Sequence, residues 1–80
     1  MTTYLITTGG SYPSYLQEDN TFGPNPKMFS SLLEARKAME TIDDFIGWTS
    51  DSPTETEGCF VYYNYPDYPE EYTLLIGCRD

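Results

Sequence analysis

Apolar and polar positions along the chain fall into a few patterned stretches. Thr3-Tyr4-Leu5-Ile6-Thr7-Thr8 is β-branched and aromatic and stops at Gly9-Gly10, which predicts a first strand and a turn. Ser11-Tyr12-Pro13-Ser14-Tyr15-Leu16 is a candidate second strand. Pro13 has no amide hydrogen to give a ladder, so it confines this segment to an edge or an irregular path. Gln17 to Lys27 holds Asn20, Gly23, Pro24, Asn25 and Pro26 and reads as loop, with Met28-Phe29 as a short strand ahead of a helix.

The helix carries the clearest period. Ser31 and Glu34 have capping-box spacing, and Leu32, Ala35, Met39, Ile42 and Ile46 then recur in steps of three and four, with Ala38 and Phe45 alongside. Asp43 and Asp44 fall near the C-terminal end of that stripe, where the macrodipole disfavours negative charge. A local conflict of this kind marks a candidate functional position, with plain solvation as the alternative.

Thr49 to Gly58 is polar and reads as an exposed loop. Two strand-like runs come after it, Cys59 to Asn64 and Tyr72 to Cys78, separated by turn-rich residues. A hairpin centred between Tyr68 and Pro69 sets Cys59 against Cys78, Val61 against Ile76 and Tyr63 against Leu74. One face is then apolar and suited to the helix, and the other, with Phe60, Tyr62, Asn64, Thr73, Leu75 and Gly77, is mixed. The expected fold is one α+β domain over residues 1–80. Its antiparallel sheet has three or four strands and one helix packed on a face. The order is a strand, an optional second strand, the helix and the hairpin.

Composition changes this picture in two ways. Eighty residues support one modest core, and 16% aromatics, eight of them tyrosines, supply large buried area per residue. Thirteen acids against four bases give a net charge of −9, which repels nucleic acid and anionic membrane surfaces and attracts a basic partner. No run approaches the apolar length of a membrane span, and the N-terminus shows no basic region followed by an apolar one. The cytoplasm is the expected compartment.

Catalytic chemistry finds little to use. The chain has no histidine, and Gly9-Gly10 is not followed by a phosphate-loop lysine. The pairs Asp43-Asp44 and Glu70-Glu71 are adjacent in sequence; on a helix such neighbours diverge by about 100°. Asp19-Asn20-Thr21-Phe22-Gly23 lacks the ligand alternation of a calcium loop. Cys59 and Cys78, facing each other in the expected register, form either a disulfide or two small buried hydrophobes, and a reducing compartment favours the second. A non-enzymatic protein without metal or cofactor is expected.

The distribution of acids is more informative. Between Lys37 and Arg79 there is no base and there are nine acids. The candidate partner-binding residues are Glu40, Asp43, Asp44, Asp51, Glu55, Glu57, Asp67, Tyr68, Glu70 and Glu71, with Tyr65 among them. Carboxylates along a rigid edge, with aromatics between, present a charge array comparable to a phosphate backbone. The alternative is a surface that serves solubility alone.

In size, acidity and β–α–hairpin layout, carried by the interval from Glu40 to Glu71, the chain resembles the small phage-encoded anti-CRISPR and antirestriction inhibitors. That resemblance rests on no shared motif. It implies a DNA-mimicking inhibitor that blocks the basic site of a nucleic-acid-binding complex, foremost a CRISPR-Cas effector, in the host cytoplasm. Two other readings stand beside it. One is an adaptor or homodimer using Phe60, Tyr62 and Leu75 on the outer sheet face. The other is a redox or metal-dependent regulator using Cys59 and Cys78.

Overall fold

A computed structural model describes residues 1–64 and 68–80. The order of elements is β1 (Thr3–Thr7), β2 (Tyr15–Leu16), β3 (Phe22–Gly23), α1 (Leu32–Glu40), β4 (Phe45–Trp48), β5 (Glu57–Asn64) and β6 (Tyr68–Arg79). All six strands join one antiparallel sheet in the order β3-β2-β1-β6-β5-β4. The expectation of a three- or four-stranded sheet is therefore corrected. The described residues are mostly a six-stranded sheet with a single short helix, and β3 and β4 are the strands the pattern hid.

The helix begins as its sequence dictates. Ser31 is the N-cap and its hydroxyl accepts from the Glu34 amide, while the Glu34 carboxylate accepts from the Ser30 amide and hydroxyl. Its end is earlier than the 3.6-residue stripe suggests. Thr41 closes the helix, its amide donating to the Ala38 carbonyl and the next amide, of Ile42, to Met39, and Asp44 turns the chain through a left-handed φ of 73°. Asp43 and Asp44 thus lie beyond the helix, in the turn that leads to the next strand, and Glu40 is the acid left in its last turn.

The next element is β4, not another helical turn. A bulge between Phe45 and Gly47 takes Ile46 out of register and leaves it exposed. The extra residue lets both Phe45 and Trp48 pack against the core from one strand, where strict alternation would separate them. The core lies on the helix side of the sheet: Ile6, Leu16, Phe60, Leu74 and Ile76 meet Phe29, Ala35 and Met39. Gly58 lies beneath the helix, where an added Cβ would run into Met39 Sδ. Met28-Phe29, expected as a short strand, contributes a single bridge from Phe29 to Tyr4.

The hairpin register also differs from expectation. β5 and β6 pair Cys59 with Thr73, Phe60 with Tyr72, Val61 with Glu71 and Asn64 with Tyr68. The shift is odd, so β5 presents its other face: Phe60 goes fully into the core while Cys59 and Val61 turn to the opposite side. Phe60 is stacked on Tyr72 in the core, with ring centroids 5.2 Å apart, while Cys59 and Val61 are half-buried on the other face. Cys78 lies beside Tyr4, on the opposite face from Cys59, and both thiols are free. Phe60 and Leu75 likewise face opposite ways, so the outer surface expected from Phe60, Tyr62 and Leu75 does not form.

Candidate partner-binding surface

The two longest strands run past both of their neighbours. β1 stays in register with β6 only as far as Thr7 opposite Leu75. On the other side β4 ends at Phe45 opposite Phe60, with one further bond from the Val61 amide to the Asp44 carbonyl at 3.0 Å. Beyond those points, among the described residues, the Tyr62–Asn64 and Tyr68–Glu70 stretches of backbone pair only with each other. They form a two-stranded ribbon on a molecule with extents of 46 × 29 × 23 Å. A row of rings runs from the core into its root, from Trp48 through Phe45, Phe60 and Tyr72 to Tyr62, with successive centroids 5.2–5.6 Å apart.

Alternation along the strands decides what the ribbon shows. Tyr62, Tyr68 and Glu70 point to the helix side; Tyr63, Pro69 and Glu71 point to the opposite side. Tyr63 and Tyr68 are 71% and 69% exposed, so each face ends in an open aromatic ring beside a carboxylate. The Tyr62 hydroxyl donates to the Glu70 carboxylate across the hairpin. At the ribbon root, burial first and the nearby Asp44 carboxylate second hold the Tyr72 phenol above its ordinary pKa.

The ten expected binding residues separate into groups. Asp44 and Glu70 lie close to Tyr72 and Tyr62 on the helix side of the ribbon root, with exposed Glu40 and Asp43 leading into the same turn. Tyr68 and Glu71 are on the ribbon, on opposite faces. Asp51 and Glu55 belong to the loop between β4 and β5, away from the ribbon, and Glu57 begins β5 on the face opposite the helix. Asp67 lies outside the described residues, as does Tyr65. The acids thus occupy both faces and both ends of the β4–β6 region, where one continuous face was expected. Tyr63 was missing from the expected set because the expected register turned Cys59, Val61 and Tyr63 toward the helix; the shifted pairing turns all three to the opposite side.

Glu55 is committed to its own loop. Its carboxylate accepts from Ser50 and from the Thr56 and Glu57 amides, and those bonds, Ser50 foremost, hold its pKa at about 2. Arg36 closes the same loop from the helix: its guanidinium lies 4.4 Å from the Trp48 ring and donates to the Pro53 carbonyl. Lys27 and Arg79 lie 5.5 Å from the Phe29 and Tyr15 ring centroids. Three of the four basic side chains are therefore stacked on the protein's own aromatics, at positions off the ribbon.

A groove of about 350 Å³ opens between the helix end and the β2–β3 hairpin, lined by Leu16, Phe22, Ala38 and Ile42 with Lys27 and Asp43 among them. Among the described residues there is no cluster of three or more metal-ligating side chains. Comparison of the chain with family models, with curated proteins and with solved structures finds no significant match.

Proposed function

We propose that this protein acts by binding rather than by chemistry. It occupies the basic surface of a nucleic-acid-binding complex, a CRISPR-Cas effector or similar nuclease, in the cytoplasm of a host cell. The observation that carries this reading is the β5–β6 ribbon. It extends beyond both neighbouring strands and shows Tyr63, Tyr68, Glu70 and Glu71, in an interval from Lys37 to Arg79 that contains no base.

The division of labour follows from the chemistry. Exposed carboxylates raise the encounter rate with a Lys/Arg-lined surface and set register, but rim charges contribute little affinity. The tyrosines supply the area that is desolvated on contact, with an amphipathic ring and few rotors to order. Entry of a narrow ribbon into a channel shaped for a nucleic-acid strand would exclude that strand by occupation.

Two variants separate these roles. Replacing Tyr63 and Tyr68 together by alanine is expected to weaken the complex tenfold or more, chiefly through faster dissociation. Glu71→Lys is expected to slow association and flatten its salt dependence. Surface-binding kinetics that match the unaltered protein in both variants would remove the ribbon from the interface.

A further inference from the structure

Among the described residues, one edge of the ribbon has no neighbouring strand, and its hydrogen-bonding groups can be assigned. Ile76 donates its amide to the Thr56 carbonyl at 2.8 Å, so Ile76, Leu74, Tyr72, Glu70 and Tyr68 direct their backbone groups toward β5. The intervening residues, Leu75, Thr73, Glu71 and Pro69, direct theirs the other way. The Tyr4–Phe29 bonds on the far side of β1 fix the same phase, since they leave Thr3, Leu5 and Thr7 to pair with β6. β1 takes up Leu75 and then ends. Thr73 and Glu71 are thus left with an amide and a carbonyl each on an edge that no described strand covers, and Pro69 with a carbonyl only.

We infer that this edge of β6, from Thr73 to Pro69, is a strand-addition site for an extended Lys/Arg-bearing segment of a protein partner. The inference rests on the binding role proposed above and specifies its contact. An added strand takes its backbone bonds from Thr73 and Glu71 and loses the ladder at Pro69, which has no hydrogen to give. Its side chains alternate between the two faces, so a basic residue opposite Glu71 meets that carboxylate across the new pair, and neighbours on the other face meet Tyr68 and Glu70. A second copy of this chain is disfavoured in the same place, because pairing the two edges brings Glu70 and Glu71 of both copies together on molecules of charge −9.

The test uses the whole protein and a defined probe. The probe is an eight-residue peptide of alternating lysine and valine, acetylated and amidated at its ends. Its control is the same peptide with alternate backbone amides N-methylated. Binding is followed by fluorescence anisotropy and by amide exchange of the protein. The unmethylated peptide is expected to bind saturably and to slow exchange at Glu71 and Thr73, and the methylated one to bind at least about tenfold more weakly. Glu71→Pro removes the edge hydrogen without touching the β5 ladder and is expected to weaken the peptide more than Glu71→Gln does. Equal binding of both peptides, abolished by salt, would overturn strand addition and leave the electrostatic reading standing. Edge-protecting binding that ignores salt would support strand addition and count against that reading. Failure of the unmethylated peptide to bind at low salt would overturn the inference.

Discussion

Tyr62 and Glu70 face each other across the β5–β6 hairpin, and the tyrosine hydroxyl donates to the glutamate carboxylate. The pair ties the ribbon together just where β4 and β1 have stopped supporting it. Tyr62 also packs on Tyr72, 5.6 Å away, which connects the ribbon to the ring of Phe60 in the core. The ribbon projecting from this small domain is ordered through this chain of contacts.

Tyr62→Phe keeps the ring contact and deletes the hydroxyl. The bond is solvent-accessible, so the expected loss of global stability is at most about 1 kcal/mol. Amides of the ribbon should exchange faster than in the unaltered protein while those of β1 stay protected; hydrogen exchange read residue by residue checks this.

Gly58→Ala probes the closest approach of sheet to helix. The new methyl would meet Met39, which is fully buried, and the Phe45 ring edge. The expected cost is about 1–3 kcal/mol, seen as a lower urea midpoint with little change in slope. Combined with Met39→Ala, which leaves a cavity of its own, the two losses should be less than additive, because the contact that penalises the new methyl is gone.

Trp48 is the only tryptophan in the sequence and reports directly on the Arg36 contact. Arg36→Lys keeps the charge but loses the planar stack and the geometry that reaches Pro53. A red-shifted, more readily quenched Trp48 emission is expected, with the ribbon unaffected. Unchanged emission would mean that the stack does not persist in solution.

Acid should loosen the loop between β4 and β5 progressively below about pH 4.5. The Glu55 carboxyl is held at about 2 from an ordinary value of 4.5. A depressed carboxyl contributes stability that is complete above its unfolded value and is lost as pH falls through its folded one. Loop order therefore fades between about pH 4.5 and 2. Ser50→Ala removes the leading cause and should move that loss upward, as followed by the Glu55 carboxyl carbon shift in an NMR titration. At the alkaline end the sign reverses. The raised Tyr72 phenol favours the folded state up to its unfolded pKa near 10, and that advantage declines as pH rises further.

Much of the fold was legible because local chemistry and packing agreed. Thr3 to Thr7, the Ser31–Glu34 cap and the two hairpin strands all follow from propensity and period. The misreadings have physical causes. Ile42, Phe45 and Ile46 continue a helical spacing by accident, and only the left-handed Asp44 and the bulge at Ile46 reveal a strand there. Phe22–Gly23 is too short to show any period. Pro69 has the composition of a turn but belongs to a strand edge, where its missing hydrogen leaves no ladder bond unmade, and that single reassignment inverts the face of β5. For the proposed binding surface, the acids themselves are readable from sequence. Their division between faces is not, because Glu70 and Glu71 diverge only once the strand is known.

If the acidic ribbon acts as proposed, it competes with nucleic acid for one basic surface. Capture of a purified, defined nuclease complex on the immobilised protein, titrated with duplex DNA and separately with salt, measures that competition. Displacement is expected by DNA at concentrations near that complex's own DNA affinity and by raised salt, with capture lost when Tyr63 and Tyr68 are both replaced by alanine. A complex retained in the presence of saturating DNA and high salt, and indifferent to those tyrosines, would contradict it.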